Sequence, residues 1–351
     1  QEYAKYPNLH ILTHEIVPDH KQKIIDATRD NHYGWSPKAC FLLKNDATGK
    51  SPLAEFQNDA EALKIWYNIF GKRDEYGIPD ENYPDKHVFM KRIEQINNNV
   101  ETASQNPDFN TIMAFIDPIN VAETSTAIKN LLVTHRVIPE YDIICINSKQ
   151  TSDPKQAISD AAEIAKRNGQ RGLLVISGRQ CSLGVTIKDC GIVILLNSSK
   201  SDDMRSQMAY RCMTEQEGKR NAFVIDMNIK NAITTHVINY ALTLKPGEHP
   251  RNVSNYLLTN RIINLNADHW MPCFGHKNTG IEEMTDAIFN VFSHGYTSIE
   301  TMMNKINLDI RAISGNEQKV LASIFGKSKS SADAKQSLDD LIDAVKEDIN
   351  D

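Results

Sequence analysis

The sequence lacks several features that would assign it to a common class of protein. No apolar run approaches the roughly 18 residues that a membrane span needs, and the N-terminal Gln-Glu-Tyr-Ala-Lys has no apolar segment typical of a signal peptide. A Gly-rich dinucleotide fingerprint and an internal repeat are also missing. These absences argue against a membrane protein, a secreted protein and a repeat protein. The missing initiator Met leads us to expect a fragment or a processed product.

Cysteine is sparse, and acidic residues (45) outnumber basic ones (39). The six cysteines of the 351 residues form no CxxC pair, and several lie in apolar runs, where a free thiol behaves as a small buried hydrophobe. We therefore expect a reducing compartment, cytoplasmic or nuclear. The net charge of −6 argues against a uniformly basic protein that coats nucleic acid. It leaves room for a local basic groove.

The signatures of a complete ATPase site are absent. Thr48-Gly49-Lys50-Ser51 ends like a phosphate-binding loop, but Lys44 stands where the first Gly of GxxxxGK[ST] belongs. Pro52 disfavours the helix that such a loop must begin, so we predict an ordinary turn. The chain has no other GxxxxGK[ST] segment and no DExD/H motif. We expect it not to hydrolyse ATP alone.

Residues 106–230 carry the clearest structural pattern. Apolar runs rich in β-branched residues alternate with segments of helical periodicity. The predicted strands are Thr111–Ile116, Tyr141–Ile146, Gly172–Ile176, Gly191–Leu196 and Asn221–Ile225, and the predicted helices are Ala122–Leu132, Pro154–Arg167 and Asp202–Thr214. Such alternation predicts an α/β fold with a parallel sheet covered by helices on both faces. In these folds, ligand chemistry lies in the loops at the carboxyl ends of the strands.

The remaining segments are assigned more simply. Residues 1–20 hold one further strand, at 8–17, and residues 21–105 are interpreted as a mostly helical insertion with helices at Asp59–Phe70 and Val88–Asn97. Residues 231–325 are predicted to form a helical C-terminal region. Residues 326–351 are predicted to form a linker and an acidic amphipathic helix, which could dock on a protein partner or pack on its own domain.

Two segments carry candidate chemistry. Strand 172–176 is followed by a loop from Ser177 to Asp189 that contains Gly184-Val185-Thr186-Ile187. The helix after the next strand contains Gln207 and Arg211, which are four residues apart and so lie on one face of a regular helix. An Arg on that face can stabilise the charge of a transferring phosphoryl group. Taken alone, such a pair is more often a pair of solvated surface residues.

In order and spacing these segments resemble motifs V and VI of superfamily 2 helicases, and Thr111–Ile116 followed by Asp117-Pro118 resembles motif IV. The resemblance covers about 106–230 and implies the C-terminal, RecA-like lobe of a helicase or translocase, of a kind found in large DNA viruses and phages. ATP and Mg²⁺ would be held mainly by an N-terminal lobe that carries the Walker A motif. The residues implied to face nucleotide are Gly184, Ser182, Thr186, Gln207 and Arg211. Those implied to contact nucleic acid, DNA rather than RNA, are Asn147, Lys149, Ser177, Gly178, Arg179 and Asp117.

The sequence departs from the motif VI pattern Gln-x-x-Gly-Arg-x-x-Arg. Tyr210 replaces the Gly, and Thr214 replaces the second Arg. Arg205, Arg220 or a variant geometry could substitute for the missing guanidinium. The other interpretation is a RecA-like module that binds nucleic acid or protein without hydrolysing ATP. An unrelated α/β enzyme acting on a small phosphate compound is a third and weaker interpretation.

No metal site is expected. His269, Cys273 and His276 are close in sequence, but no fourth ligand follows at a recognisable spacing. The nearby aromatic residues Trp270, Phe274 and Tyr256 could stack on bases. Packing beneath a helical cap is the commoner use of such residues.

Overall fold

The computed structural model describes residues 6–13, 40–83, 88–98, 109–149, 151–181, 186–197, 202–227, 232, 235–236, 252 and 262–264. The chain consists of two compact units, Gln1–Phe289 and Asn290–Asp351. Every described residue belongs to the first unit. Apart from Ala232, Thr235 and His236, the helices predicted from Asn231 onwards lie outside the described residues, as does the acidic segment at 326–351.

Nine strands are described, and seven of them form one sheet. They are β1 (Asn8–Thr13), β2 (Leu43–Asn45), β3 (Pro52–Phe56), β4 (Asn110–Phe115), β5 (Tyr141–Ile146), β6 (Gly172–Ser177), β7 (Cys190–Leu195), β8 (Asn221–Asp226) and β9 (Ile262–Asn264). The large sheet has the order β5-β6-β4-β7-β8-β1-β9, and every pairing in it is parallel. Strand β1 joins it beside β8, with Asn8 opposite Asn221 and Thr13 opposite Asp226.

Five helices are described: α1 (Asp59–Phe70), α2 (Phe89–Asn98), α3 (Val121–Thr134), α4 (Pro154–Arg167) and α5 (Asp202–Ala209). The start of α4 follows from its sequence, because the Asp153 side chain accepts a hydrogen bond from the Gln156 N–H and Pro154 occupies the first turn. At its other end the chain turns through Gly169, whose φ is 71°. Among the described residues, no helix is long and apolar enough to cross a membrane.

Helices cover both faces of the sheet. Along β4, Ile112 and Ala114 belong to a core that includes Trp66 of α1 and Ile128 of α3. Successive side chains of a strand point to opposite faces, so Met113, which is also buried, faces the other side. The buried side chains of α4 and α5, such as Ile158 and Met208, lie outside that first core. The predicted RecA-like α/β arrangement is therefore confirmed.

Three local features differ from the sequence prediction. The region 231–325, predicted to be helical, contributes strand β9, which pairs in parallel with β1. Residues 21–105 contain an antiparallel hairpin, β2–β3, besides helices α1 and α2. Its strands are short and poor in β-branched residues, so they give little periodic signal. The helix predicted at Asp202–Thr214 ends as an α-helix at Ala209 and continues as a 3₁₀ turn over Tyr210–Met213.

The Gly-Lys-Ser segment is the tip of this hairpin. One oxygen of the Asp46 carboxylate accepts hydrogen bonds from the backbone N–H groups of Thr48 and Lys50. Gly49 adopts a φ of 71°, which Gly tolerates without strain. Because Asp46 already occupies two of the N–H groups that a phosphate loop would offer, the turn predicted for this segment is confirmed.

Candidate nucleic-acid and nucleotide interface

The carboxyl edge of the sheet gathers polar residues from separate parts of the sequence. Because the strands are parallel, their carboxyl ends meet at one edge, where ligands bind in open α/β sheets. We define the carboxyl edge by the polar residues that end or directly follow strands β1 and β4–β8: Thr13, Asp117, Asn147, Ser177, Asn197 and Asp226. All are buried except Asp117, which is half-buried.

The turn after β5 is built around Asn147. Its side-chain oxygen accepts a hydrogen bond from the Lys149 N–H at 3.1 Å, and its carbonyl accepts one from the Thr151 N–H. The Lys149 ammonium lies 3.0 Å from the Glu123 carboxylate, and this hydrogen bond lowers the pKa of Glu123. Lys149 is exposed, so a phosphate could reach it, but Glu123 already neutralises part of its charge.

The turn after β6 lies beside the turn after β5. Gln180 donates a hydrogen bond to the Thr151 carbonyl at 2.7 Å, which joins the two turns. Arg179 is exposed. Gly178 is buried, and a Cβ there would come within 2.7 Å of a Val121 methyl group, so only Gly lets this turn pack on the start of α3. The structure thus brings Asn147, Lys149, Ser177, Gly178 and Arg179 together along β5 and β6.

Ser177 is enclosed at the end of β6, where it is 1% exposed. Burial raises the pKa of the Cys181 thiol, while a hydrogen bond with the Ser177 hydroxyl and the Arg211 charge act in the opposite direction. The Ser177 hydroxyl therefore interacts with Cys181 inside the fold.

Arg211 and Gln207 do not share one regular helix face. Gln207 lies in α5 and is exposed, whereas Arg211 lies in the 3₁₀ turn and is half-buried. A 3₁₀ turn rotates the chain by about 120° per residue instead of about 100°, which moves the two side chains apart. The tighter turn also buries Cys212, whose thiol donates to the Ala209 carbonyl at 3.1 Å. The Arg211 charge acts to lower the pKa of two thiols, Cys181 after β6 and Cys190 at the start of β7, against the larger effect of burial.

The other basic residues near Gln207 and Arg211 in sequence have different surroundings. Arg205 is 5% exposed and donates to the Thr235 hydroxyl, so it is part of a buried cluster. Arg220 is exposed just before β8, at the amino end of that strand. Thr214 is half-buried, and its carbonyl accepts a hydrogen bond from the buried Lys219 ammonium at 2.8 Å.

Several predicted site residues fall outside the described part of the chain. These are Ser182 and Gly184 of the loop before β7, together with His269, Cys273 and His276. Thr186 is described and exposed, four residues before β7 begins. Within the described ranges, no three His, Cys, Asp or Glu side chains are grouped so as to hold a metal ion. The five described cysteines are free thiols.

A cavity of about 220 Å³ at the carboxyl edge was not predicted. It lies between the base of the β2–β3 hairpin and the ends of β4 and β7. Its lining comprises Phe41, Leu42, Leu43, Asn45, Pro52, Ile116, Asp117, Ile119, Asn120, Thr124 and Leu196. Two of these residues, Ile116 and Asp117, belong to the segment that resembles motif IV, and of the two only Asp117 was predicted as a site residue. A second cavity, of about 530 Å³, runs along β5 between α3 and α4, and none of the predicted site residues lines it.

Comparison with known proteins leaves the family open. No protein-family model matches the chain, and no curated protein matches it. Among solved structures, the chain is similar to an ATP-dependent Type ISP restriction-modification enzyme, LlaBIII, bound to DNA, with 13% identity and a TM-score of 0.38 over 92% of this chain and 19% of that one. It is also similar to the C-terminal part of the Fun30 ATPase domain, with 12% identity and a TM-score of 0.34 over 72% and 97% of the two chains. The chain thus spans about a fifth of the length of the restriction-modification enzyme, and likeness at these scores carries no argument about activity.

Proposed function

We propose that residues 106–230 act as the C-terminal lobe of an ATP-dependent nucleic-acid helicase or translocase of superfamily 2. The observation that carries this proposal is the carboxyl edge. Residues implied by three separate motifs, at Asp117, at Asn147 to Lys149 and at Ser177 to Arg179, all follow neighbouring strands of one parallel sheet.

The turns after β5 and β6, with Asp117 after β4, form the proposed contact with the nucleic-acid backbone. Exposed Arg179 and Lys149 provide positive charge. Contacts of this kind position a strand without reading its sequence. DNA is the proposed substrate rather than RNA, as the resemblance implies.

The proposed nucleotide contact lies on Arg211, with Gln207, Ser182, Gly184 and Thr186. In this proposal Arg211, which is half-buried in the 3₁₀ turn after α5, contacts the γ-phosphate of a nucleotide bound between this lobe and a second one. The second lobe would hold most of the ATP and the Mg²⁺ ion. Charge stabilisation by such an Arg contributes about a thousandfold or more to phosphoryl transfer.

A specific observation favours the second candidate, a RecA-like binding module that does not hydrolyse ATP. Thr214 replaces the second Arg of motif VI, and its carbonyl is fixed to Lys219. Arg211 is half-buried in a 3₁₀ turn. Both features weaken the case for an Arg that stabilises the transferring phosphoryl group. They leave the proposed contact with the nucleic-acid backbone unchanged.

The test combines this chain with the Walker A lobe encoded with it. ATP hydrolysis is then measured with and without nucleic acid. We expect stimulation by single-stranded DNA, and we expect Arg211→Ala to reduce the turnover number about a thousandfold. The matched control is Arg167→Ala, an exposed Arg at the end of α4, which should leave turnover unchanged. DNA binding without any hydrolysis would support the non-hydrolysing module, and absence of both would refute the proposal.

A further inference from the structure

The 220 Å³ cavity lies at the topological switch point of the sheet. After β4 the chain crosses through α3 to β5, on one side of β4, and after β7 it crosses through α5 to β8, on the opposite side. A crevice opens between two strands whose connections diverge in this way, and ligands of open α/β sheets bind there. Ile116 and Asp117 after β4 and Leu196 after β7 line the cavity from the two sides of that crevice.

The hairpin completes the cavity. Leu42 and Pro52 form a wall that the sheet alone does not supply, and β3 packs against α3. The exposed rim is apolar at Ile119, which is 63% exposed, and at Leu42. Isolated exposed apolar residues are common, but here two of them flank one mouth. Such a mouth favours a ligand that brings an apolar surface with it.

The cavity has the size and chemistry for one ring system. Its volume lies below the roughly 300–1,000 Å³ of pockets for drug-sized ligands, so a whole nucleotide would not fit. Most of its lining is apolar, and the polar groups are few: Asn45, Asp117, Asn120 and Thr124. Amide and carboxylate side chains can form hydrogen bonds with the donor and acceptor edge of a base. Apolar side chains can pack against its flat faces.

We propose that this cavity receives an unpaired base of single-stranded nucleic acid. The inference rests on the proposed function, since Asp117 belongs both to the cavity and to the proposed contact with the backbone. A strand held along the turns after β5 and β6 reaches the end of β4 next, because β4 is the neighbour of β6. The turns after β5 and β6 bind the phosphates of the strand, and the cavity binds one base that is no longer stacked on its neighbours.

The experiment compares two oligonucleotides with the same number of phosphates, one with normal bases and one made of abasic nucleotides, by fluorescence anisotropy with the full chain. Wild-type protein should bind the abasic strand about tenfold more weakly. Ile119→Ser should weaken binding of the normal strand about fivefold or more and leave binding of the abasic strand within twofold. The matched control is Ile78→Ser, at an Ile that is 59% exposed and lies outside the cavity lining. It should change neither affinity.

The possible results separate the two proposals. If the wild type binds both strands equally, or Ile119→Ser weakens both strands alike, the base site is refuted while the backbone contact stands. If the wild type binds neither strand, the proposed function fails and the base site fails with it. Arg179→Ala should weaken both strands by the same factor, since it acts on phosphates, and this variant checks that the assay separates the two kinds of contact.

Discussion

The two edges of the sheet differ in how their fully buried threonines are bonded. At the amino edge, where the strands begin, the buried Thr111 donates to Asp189, and the half-buried Asn110 and Asn221 are also hydrogen-bonded, Asn110 to the Gly191 N–H and Asn221 to His10 and Asn97. At the carboxyl edge, Asn147 and Asn197 have hydrogen-bond partners, but among the described residues the buried hydroxyl of Thr13 has none.

The contrast indicates which edge is structural and which is available to ligands. Lys219 shows the structural use most clearly: it is 8% exposed, and its ammonium donates to the carbonyls of Cys190, Thr214 and Lys188. The amino edge has one exception, Gln216, whose side-chain oxygen is buried without a partner. An unsatisfied buried group costs free energy, and at the carboxyl edge the Thr13 hydroxyl is such a group.

The largest effect is expected at Lys219. Lys219→Met would leave the Cys190 and Thr214 carbonyls without their donor, so we expect a loss of about 3 kcal/mol in the free energy of unfolding. Urea denaturation measures this loss, with the exposed Lys188→Met as the control. An equal midpoint for the two variants would show that Lys219 does not hold the amino edge together.

A matched pair of threonines compares the two edges directly. Thr111 and Thr13 are both fully buried, but only Thr111 has a hydrogen-bond partner, Asp189 at 3.1 Å. We expect Thr111→Val to cost about 1.5 kcal/mol, and Thr13→Val to be neutral or stabilising by up to about 1 kcal/mol. Chemical denaturation of both variants gives the comparison. A destabilised Thr13→Val would contradict the proposed difference between the edges.

The buried thiols of the amino side predict a loss of stability in alkali. Burial raises the pKa of Cys190 from 9.0 to about 12. Between these values the unfolded thiol ionises and the folded one stays protonated, so stability is complete below pH 9 and is lost progressively as the pH rises towards 12. Cys190 should contribute a loss of about 1.4 kcal/mol at pH 10.

Cys190→Ala isolates this contribution, because the variant lacks the thiol but keeps the other groups that titrate nearby. Burial lowers the pKa of Lys219, and this shift has the opposite effect on stability over the same range. The measurement is the change in the free energy of unfolding between pH 8 and pH 10, which should be smaller in the variant. Identical changes in both proteins would mean that water reaches Cys190.

The smallest effect is expected at the exposed Arg179. Arg179→Ala removes one proposed phosphate contact and should reduce the slope of log affinity against log salt by about 0.7 for a single strand. Titration at several salt concentrations measures the slope, with Arg167→Ala as the control. An unchanged slope would remove Arg179 from the interface.

The sequence predicted the sheet better than the site. Continuous apolar runs at Ile112–Phe115 and Leu173–Ile176 leave few alternatives to buried parallel strands. Pro154 and Gly169 marked the ends of α4 because each has a local backbone preference. The order of the strands in the sheet could not be read in this way, since β5, β6 and β7 have similar patterns.

Other features depended on tertiary packing. The 3₁₀ turn at Arg211 follows from burying Cys212 beneath it, and helical periodicity does not reveal such a tightening. The cavity at Ile119 joins segments that are about seventy residues apart in sequence. A pattern within one segment cannot predict a wall that another segment supplies.

Hydrogen exchange of the full chain, with and without a short single-stranded DNA, tests the central claim most directly. We predict slower exchange at residues 116–120, 147–149 and 177–181 of the carboxyl edge, and unchanged exchange where β4, β7 and β8 begin. Protection confined to the amino edge, or no protection at either edge when the DNA is bound, would contradict the assignment of the carboxyl edge as the nucleic-acid interface.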